Sequence, residues 1–319
     1  MKIFITGASG FIGGAVTKAL VSKHKVSAMA RSEKSANIVA AIGARAVMCS
    51  LNNVEASHLQ GVDVVIHSAA YVESWGTKQQ FWEMNVNATK QLLAVARKAG
   101  VKRFVHISTE ACLFHGQAMV NIDETYPYAE HTPYLYSMTK REAEKLVVNA
   151  NDTGVFDTVT VRPRMVWGPD DKTILPEVLK LVDSGAFSWI NHGKAMTSIT
   201  YIGNLVEGIL LAMEKGRAGE IYFITDSEQP SVKEFLTGLL LTQNITPSSK
   251  SVPSYILRPL AYIVESVWRL FNIKKDPFIT RFAADIMSVE CTINIDKARK
   301  ELGYQPQISF KEGLKAMKH

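Results

Sequence analysis

The chain has 319 residues, of which 47% are apolar and 21% are charged, and its formal net charge is +6. This composition is close to that of an ordinary soluble protein, and the length allows one large domain or two joined ones. The positive charge is concentrated at the two ends: residues 268–319 carry 10 Lys and Arg against 6 Asp and Glu, whereas residues 151–267 carry 10 against 13. No block of basic residues is interleaved with aromatic ones, so we predict no nucleic-acid partner.

Cysteine usage and the N-terminus indicate the compartment. The three cysteines, Cys49, Cys112 and Cys291, are scattered and odd in number, so a disulfide framework is not expected. Neither a C-x-x-C pair nor a cluster of histidine, cysteine and aspartate occurs, so we predict no metal site. The first apolar run ends after Ile5, short of the about 7–15 residues of a secretion signal. We therefore expect a cytoplasmic protein in a reducing environment.

Strand-like and helix-like stretches alternate through the first half of the chain. Short apolar segments predict strands at 2–6, 25–30, 44–48, 62–67, 102–108 and 157–163, and longer segments predict helices at 11–23, 77–99 and 134–149. The run VDVVIH at 62–67 is almost continuously apolar, as expected for a strand buried on both faces. This alternation predicts an α/β fold of Rossmann type, in which a doubly wound parallel sheet carries helices on both faces.

The pattern changes near residue 165. Turn residues become denser, as in WGPDD at 167–171, and predicted helices at 174–184 and 203–214 mix with a short strand at 221–225. No repeat or low-complexity linker separates the two halves. We predict a Rossmann part over 1–165 and a smaller C-terminal α+β part over 166–319 that does not fold independently.

Residues 254–273 predict an amphipathic helix with a kink or a late start near Pro259. Apolar residues line one side, and the other side carries a polar stripe of Arg258, Tyr262, Glu265 and Arg269. The charges argue against a membrane-spanning helix, which needs about 20 predominantly apolar residues. Three positions fit such a helix: packed on the core, covering a substrate pocket, or in peripheral contact with a membrane, which the basic C-terminal segment would favour.

A glycine-rich turn follows the first predicted strand. The stretch TGASGFIG places glycines at 7, 10 and 13 between an apolar strand and a helix. In this context Gly7 allows the tight turn, Gly10 lets the backbone approach a pyrophosphate, and Gly13 allows close packing of helix on strand. The phosphates would then meet the N–H groups at the helix N-terminus. A plain strand-to-helix turn is the alternative, and the context favours dinucleotide binding.

The end of the second predicted strand bears on the choice of dinucleotide. NAD sites usually carry an acid about 20 residues after the glycine turn, to bind the ribose 2′-hydroxyl. Here the strand ends in Ala30, and Arg31 follows. An arginine suits a 2′-phosphate through charge-assisted hydrogen bonds, and Ser32 could add a hydroxyl. We predict NADP(H) in preference to NAD(H); the alternative is that Arg31 stacks on adenine and accepts either cofactor.

Tyr136 and Lys140 lie four residues apart near the start of the predicted helix 134–149, and they therefore share one helical face. No other tyrosine of the chain has a lysine four positions later. A nearby ammonium lowers the pKa of a phenol, so Tyr136 could donate a proton to a carbonyl oxygen during hydride transfer. Ser108 and Thr109, at the end of the preceding strand, offer hydroxyls to hold that oxygen. The alternative is that Tyr136 only packs and Lys140 is solvated.

Taken together, the motifs resemble the short-chain dehydrogenase/reductase superfamily, in its extended branch of NAD(P)-dependent epimerases and dehydratases. The resemblance covers nearly the whole chain and rests on the order of TGASGFIG (6–13), HSAA (67–70), NVNAT (85–89), ISTEA (107–111), YSMTK (136–140), VRPRMVWGP (161–169), ITYIGNLVEG (199–208) and LGYQP (302–306). Within the branch, WGPDD with ILPEVL and the apolar stretch before ECTIN (290–294) are most similar to the 3β-hydroxysteroid dehydrogenase-like group. That group includes reductases of long-chain lipid ketones.

The resemblance implies roles for individual residues. Tyr136 would be the acid/base, Lys140 would hold the nicotinamide ribose and tune Tyr136, and Thr109 takes the position of the catalytic Ser or Thr. Besides Arg31, Ser32, Tyr136 and Lys140, the implied cofactor-binding set comprises Gly7, Gly10, Phe11, Ile12, Gly13, Ser50, Leu51, Ala69, Ala70, Ile107, Pro163 and Val166.

Three places depart from the family pattern. Ser50 and Leu51 follow the third strand where many relatives have Asp-Leu, and Ala88 replaces a common glycine. Both changes concern the adenine side of the site. Nucleotide-sugar dehydratases of this branch place Asp-Glu after the catalytic Thr, whereas Glu110 and Ala111 follow it here. Elimination chemistry therefore lacks its acid pair.

We expect an NADP(H)-dependent reductase or dehydrogenase that interconverts a secondary alcohol and a ketone on a hydrophobic, steroid-like or long-chain substrate, bound by the C-terminal part. Expected pocket residues are Tyr71, Glu73, Trp75, Phe114 and Met165. Two alternatives keep the fold: a nucleotide-sugar epimerase with tightly bound NAD, and a non-catalytic dinucleotide sensor. Relatives often dimerise through two long helices, so 77–99 and 134–149 are candidates for a homodimer interface.

Overall fold

The computed structural model of the chain describes residues 1–271 and 273–318. The strands are β1 (Lys2–Thr6), β2 (Lys25–Ala30), β3 (Arg45–Met48), β4 (Val64–His67), β5 (Arg103–Ile107), β6 (Met119–Ile122), β7 (Asp157–Arg162), β8 (Val166–Trp167), β9 (Trp189–Ile190), β10 (Thr200–Tyr201), β11 (Ile221–Phe223), β12 (Ser251–Val252) and β13 (Cys291–Ile293). The α-helices are α1 (Phe11–Leu20), α2 (Glu33–Ala41), α3 (Lys78–Phe81), α4 (Ala88–Lys98), α5 (Leu135–Asn149), α6 (Ile174–Asp183), α7 (Ile202–Lys215), α8 (Val232–Thr242), α9 (Ser254–Leu270), α10 (Arg281–Ile286) and α11 (Phe310–Ala316). Short 3₁₀ turns lie at Ala56–Leu59, Glu110–Leu113 and Asn191–Gly193, and π-helical turns at Trp82–Asn87 and Ala298–Leu302.

Within the described residues, seven strands form one parallel sheet in the order β3-β2-β1-β4-β5-β7-β11. The direction in which strands are added reverses between β1 and β4, which opens a crevice at their carboxyl ends. This arrangement confirms the predicted doubly wound fold. The last strand, β11, comes from the second half of the chain and pairs with β7, so both halves build the sheet. The division at residue 165 stays a prediction.

Alternate residues of the strands pack on opposite faces of the sheet, as the pleat requires. In β1, Ile3 and Ile5 belong to the apolar cluster that includes α1 and α7, whereas Phe4 belongs to the cluster beneath α4. A third cluster, which includes Trp167 and Phe235, is the core of the C-terminal part. The sheet is therefore covered on both faces, which explains why its strands are continuously apolar.

The strands predicted at 2–6 and 25–30 are confirmed, and the helix predicted at 134–149 begins at Leu135. The long helix predicted at 77–99 is confirmed over 78–98, but it contains an unpredicted π-helical turn at Trp82–Asn87, which joins α3 to α4. This turn directs Asn85 inward, where Oδ1 accepts the Tyr71 N–H at 2.7 Å and Nδ2 donates to the Thr139 hydroxyl of α5 at 3.1 Å. A single wider turn leaves too small a trace in apolar periodicity to be predicted.

The glycine-rich turn closes as its pattern predicts. Gly7 has a φ of 76°, in the region that favours glycine, and the Gly10 N–H donates to the Gly7 carbonyl at 2.9 Å. Gly13 lies so close to this turn that a Cβ there would stand 2.3 Å from the Gly7 oxygen. Consequently α1 starts in direct contact with the end of β1.

Helix α9 begins at Ser254 and runs through Pro259, so the predicted late start was wrong, whereas a kink at this proline stays a prediction. The carbonyl that loses its helical partner is that of Tyr255, and this residue is 76% exposed, so water can satisfy the group. The helix ends at Leu270. Asn272, inside the predicted range 254–273, lies outside the described residues. None of the helices in the described parts of the chain is both long and apolar enough to cross a membrane.

Two residues of the polar stripe of α9, Arg258 and Glu265, face the protein, whereas Tyr262 and Arg269 are exposed. Arg258 is ion-paired with Asp285 and donates to the Gly116 carbonyl at 2.9 Å, and Glu265 accepts the backbone N–H of Arg281 at 3.0 Å. The side of α9 that faces solvent is apolar and consists of Tyr255, Ile256, Leu260, Tyr262, Ile263, Val267 and Leu270. The helix also buries Ala261 and Val264 against the protein, so its protein-facing side is mixed, while its exposed side is unusually apolar for a surface helix.

We expect Gly13→Ala to lower the free energy of unfolding by about 1–3 kcal/mol, because the added Cβ meets backbone that cannot withdraw without opening the turn. Urea unfolding without added cofactor measures the change. Gly14→Ala on the same helix is the matched control, since its Cβ would have Ala8 O as nearest neighbour, at 3.2 Å. Alanine favours a helix, so this control should stay within about 1 kcal/mol of wild type. Equal stability of the two variants would contradict the close approach at Gly13.

Candidate active site

A cleft of about 850 Å³ opens at the carboxyl ends of β1, β4, β5 and β7. The loops that follow these strands form its walls and contribute Gly7, Ala69, Thr109 and Pro163, respectively. Helix α10 and the second half of α9 form its rim. The cleft therefore lies at the switch point of the sheet, where doubly wound proteins bind their ligands.

The glycine-rich turn forms one end of this cleft, where Gly7, Gly10, Phe11, Ile12 and Gly13 line the wall. No side chain of the described residues caps α1, so the first N–H groups of this helix are available to a ligand. A Cβ at Gly10 would approach only the Gly7 oxygen, at 3.1 Å, so its bare Cα borders open space. A diphosphate fits here, because helix N-termini bind anions through free N–H groups and the helix dipole.

Beyond the glycine turn, the cleft is lined by Arg31, Ser35, Ser50 and Leu51. Arg31 is exposed and stands just before the N-terminus of α2, whose dipole adds to the positive potential. Ser32 caps α2, where its hydroxyl accepts the N–H of Ser35 at 3.3 Å, and its predicted contact with the cofactor stays a prediction. A serine just before a helix prefers this role. Ser35 lines the cleft wall, but its hydroxyl donates to the Ser32 carbonyl at 2.8 Å.

Tyr136 lines the cleft from the first turn of α5. Burial raises the pKa of its phenol, the negative charge of Glu110 raises the pKa further, and a hydrogen bond with Thr109 lowers it. The pKa therefore lies above its ordinary value, opposite to the direction expected from Lys140. Tyr136 keeps its proton through the neutral range and can act as a hydrogen-bond and proton donor.

Lys140 is buried one turn behind Tyr136, and its Nζ donates to the Ile107 carbonyl at 2.8 Å. Burial lowers the pKa of the ammonium to about 8, although the nearby Glu144 carboxylate opposes this shift. Lys140 and Ile107 thus lie behind the cleft wall, where they tie α5 to the end of β5. Four further residues predicted around the cofactor line the cleft itself: Ala69, Ala70, Pro163 and Val166.

Thr109 links the cleft to a buried ion pair. Its Oγ1 donates to a carboxylate oxygen of Glu110 at 2.8 Å and accepts the N–H of Ala111 at 3.2 Å. Glu110 is ion-paired with Arg164, and both side chains are buried. Arg164 also donates through Nε to the hydroxyl of Thr197 at 3.0 Å. Thr109 was predicted from the sequence. The ion pair of Glu110 with Arg164 was not, because its partners are 54 positions apart and no local sequence pattern indicates the contact.

Three of the five predicted pocket residues, Glu73, Trp75 and Met165, line the cleft. Tyr71 packs edge-on against Phe81, with ring centroids 4.8 Å apart, and its hydroxyl donates to the Trp75 carbonyl at 3.2 Å. Phe114 was wrongly predicted: it is fully buried and stacks on the ring of Tyr134, with centroids 5.3 Å apart. Of these two residues, Tyr134 is the one that lines the cleft.

Helix α10, which closes the cleft, was not predicted from the sequence. Its residue Phe282 packs edge-on against the ring of Tyr136, with centroids 5.7 Å apart, and Ile286 and Met287 continue the apolar wall. A signal was present: Thr280 caps the helix by accepting the N–H of Ala283 at 3.2 Å. On the rim, the guanidinium of Arg269 lies 4.4 Å above the ring of Trp75, a cation–π contact across the mouth of the cleft.

Comparison with known proteins adds a family and named relatives. The family model described as 3-beta hydroxysteroid dehydrogenase/isomerase matches residues 4–253. A 4-hydroxy-2-methyl-3-oxo-4-farnesyl-3,4-dihydroquinoline-1-oxide ketoreductase from Stigmatella aurantiaca is 38% identical, and the match covers 100% of this chain and 96% of the relative. A decarboxylating sterol-4-alpha-carboxylate 3-dehydrogenase from Dictyostelium discoideum is 32% identical, with 98% of both chains covered.

A solved structure extends the comparison to the fold. A dTDP-glucose 4,6-dehydratase from Streptomyces venezuelae, solved with NAD bound, superposes with a TM-score of 0.78 at 25% identity. The superposition covers 100% of this chain and 95% of that one, so the C-terminal part is shared as well as the sheet.

Proposed function

This chain belongs to the 3-beta hydroxysteroid dehydrogenase/isomerase family of NAD(P)-dependent oxidoreductases, and we propose that it reduces a ketone on a hydrophobic substrate with NADPH, or runs the reverse reaction. The observation that carries the proposal is the position of the Tyr136 phenol, on the wall of a cleft that begins at the glycine-rich turn.

In this proposal the reduced nicotinamide, when bound, supplies a hydride to the carbonyl carbon. Tyr136 supplies the proton to the carbonyl oxygen, because its raised pKa keeps the phenol protonated at neutral pH. Lys140 stands one helical turn behind and supplies positive charge to the phenolate that remains. Gly10 and the N-terminus of α1 would hold the diphosphate.

The cleft walls support a hydrophobic substrate. Trp75, Met165, Phe282, Ile286 and Met287 present apolar or thioether groups on the substrate side of Tyr136. The ketoreductase relative is named for a farnesyl-bearing compound and the dehydrogenase relative for a sterol carboxylate. We infer that the substrate of this chain carries its ketone on a ring or chain with a large apolar group. Apolar groups of this kind gain about 25 cal/mol per Å² removed from water.

Arg31 supports the choice of NADPH. It lines the cleft just past the glycine turn, at the end of β2, where Ala30 leaves no acid for a ribose 2′-hydroxyl. The guanidinium and the dipole of α2 would both attract a 2′-phosphate. The Ser32 hydroxyl accepts the Ser35 N–H, which leaves its own O–H as a donor for this phosphate.

A nucleotide-sugar epimerase shares this fold but fits the cleft less well. A sugar nucleotide needs polar partners for its hydroxyls, whereas α10 offers Phe282 and Ile286. An epimerase would also copurify with bound NAD and would not consume NADPH. Pairing of two copies through the two long helices stays a prediction.

The apolar side of α9 supports peripheral contact with a membrane. Among the described residues of α9, Arg269 is the only charged residue that is exposed. It forms an ion pair with Glu265 and a cation–π contact with Trp75. Lys274 and Lys275 follow, and the Lys275 carbonyl accepts the Trp268 indole N–H at 3.0 Å. An apolar face beside exposed lysines matches the surface of an anionic bilayer. Because α9 forms the rim of the cleft, this contact would place the opening beside the lipid in which a hydrophobic ketone dissolves.

We expect Tyr136→Phe to lower kcat for ketone reduction by about 100-fold or more, since a positioned general acid contributes about 10²–10⁴-fold. NADPH consumption is followed with a panel of 3-ketosteroids, 2-alkyl-3-oxo esters and farnesyl-bearing ketones. Tyr126→Phe is the matched control, because its hydroxyl lies outside the cleft wall and accepts from Gln117 at 3.4 Å. Reduction by Tyr136→Phe near the wild-type rate would exclude Tyr136 as the acid. Bound NAD with no turnover of any ketone by the wild type would favour the epimerase.

We expect Arg31→Asp to shift the NADPH/NADH ratio of kcat/KM toward NADH by about tenfold or more. The variant loses a charge-assisted contact worth about 1.5–3 kcal/mol and gains repulsion toward a 2′-phosphate. Arg45→Asp is the control: it makes the same change at another exposed arginine, at the amino end of β3, away from the cleft. An unchanged ratio in Arg31→Asp would show that this side chain does not select the cofactor.

We expect the protein to sediment with vesicles of phosphatidylcholine and phosphatidylserine, and less with phosphatidylcholine alone. Leu270→Glu should abolish this, because Leu270 is 78% exposed on the apolar side of α9. Leu241→Glu, at an exposed leucine on α8, is the matched control and should bind like wild type. If Leu270→Glu instead changed only the oligomeric state, measured by sedimentation velocity, a second copy rather than a membrane would cover α9.

A further inference from the structure

Met165 has a strained backbone conformation on the cleft wall. Its φ is 42°, in the left-handed region that favours glycine, where a residue with a Cβ is strained. Five other residues with a Cβ have a positive φ in the described parts of the chain, and all are of the types that tolerate it: Asn121, Asp170, Asn191, His192 and Asn244. Met165 is the exception in this set, because methionine is not one of these types.

Contacts on both sides of Met165 hold this conformation. The Thr200 hydroxyl accepts the Arg164 N–H at 3.2 Å and donates to the Arg164 carbonyl at 2.7 Å, and the Thr200 N–H donates to the Met165 carbonyl at 3.3 Å. Both peptide groups that flank Met165 are thus bound to one residue of β10. The flexible thioether is held as well, because the buried Thr197 hydroxyl lies 3.5 Å from its sulfur. Strain of this kind persists where the surroundings over-determine the conformation.

The left-handed turn changes which side chains line the cleft. In an extended segment, neighbouring side chains point to opposite sides. Here Met165 and Val166 both line the cleft, whereas the preceding Arg164 is buried and ion-paired with Glu110 in the loop that follows β5. The turn therefore places two consecutive apolar side chains on the wall of the cleft.

We propose that Met165 is a specificity-determining residue, held in the left-handed turn so that its thioether forms a fixed apolar wall on the substrate side of Tyr136. The inference rests on the proposed function and deepens it. The substrate that fits this wall carries hydrocarbon there, either an alkyl chain or the methylene groups of a ring. A hydroxyl at the same place would lose its hydrogen bonds to water and find no strong partner on the side chains of Met165 or Val166, because a thioether is only a weak acceptor.

Thermal unfolding tests the turn without any substrate. Leucine and isoleucine are isomers, so Met165→Leu and Met165→Ile add the same atoms and differ in branching at Cβ. A β-branched residue fits a positive φ poorly, so we expect Met165→Ile to melt about 3 °C or more below Met165→Leu. Met165→Asn should not melt below Met165→Ile, because asparagine tolerates the left-handed region. Equal melting temperatures of the two isomeric variants would overturn the inference.

The specificity test uses the NADPH-loaded enzyme, a 2-alkyl-3-oxo ester, and analogues of this ester hydroxylated at successive carbons of the alkyl chain. The wild type should prefer the parent over the poorest analogue by about tenfold to a hundredfold in kcat/KM. Met165→Leu should keep this preference. Met165→Asn should reduce it to about threefold or less, mainly through a higher KM for the parent ester. Met196→Asn, the same change at an exposed methionine outside the cleft wall, is the control and should behave like wild type.

An unchanged preference in Met165→Asn would overturn the inference. If this variant does not fold, Met165→Gln, which is closer to methionine in size, decides in its place by the same ratio. Isothermal titration calorimetry of the same esters gives the preference as a ratio of Kd values. If the wild type binds the esters but reduces no ketone, the proposed function is refuted, and the Kd ratio still decides the role of Met165. If the wild type binds none of them, both are refuted.

Discussion

The buried pair between Glu144 and Arg162 fixes the helix on which the chemistry depends. Glu144 lies on α5 at the i+8 position from Tyr136, with Lys140 midway, so all three share one helical face. Arg162, at the end of β7, donates to both Glu144 oxygens through Nε, at 3.2 and 3.0 Å. Both side chains are almost completely buried, so loss of either partner would leave an uncompensated charge in the core. The pair thereby sets the rotation of α5 about its axis, and that rotation points Tyr136 into the cleft.

The parts of this architecture that a sequence can reveal are those with a local cause. The strand β1, the glycine turn and the spacing of Tyr136 from Lys140 follow from patterns within a few residues, and the structure has them where they were predicted. What could not be predicted depends on contacts between distant segments. Phe114 has the composition of a pocket residue, but its place behind Tyr134 is decided by packing against α10. The ion pair of Glu110 likewise exists only once β5 and β7 lie side by side.

Helix α9 shows how a correct pattern can leave the orientation of a helix open. The hydrophobic periodicity predicted an amphipathic helix, and one is present, but periodicity does not say which side meets the protein. Arg258 and Glu265 find partners of their own on the segment that carries α10, Asp285 and the backbone N–H of Arg281. These polar contacts, together with the buried Ala261 and Val264, fix the side of the helix that meets the protein. The helix therefore serves as a wall for the cleft on one side and an apolar surface on the other.

The raised pKa of Tyr136 and the presence of Lys140 are consistent once the charges around the phenol are counted together. Arg162 offsets Glu144, and Arg164 offsets Glu110, so both of these buried carboxylates have their own guanidinium. Lys140 is then the surplus positive charge of this set, and its pKa of about 8 shows that burial already disfavours that charge. Before proton transfer the phenol is neutral and the surplus is uncompensated. In the proposed reduction, the phenolate and the ammonium would neutralise one another after transfer, so Lys140 would stabilise the product of the step rather than its starting state. That is the differential stabilisation that a proton-donating tyrosine requires, because binding both states equally would not accelerate the reaction.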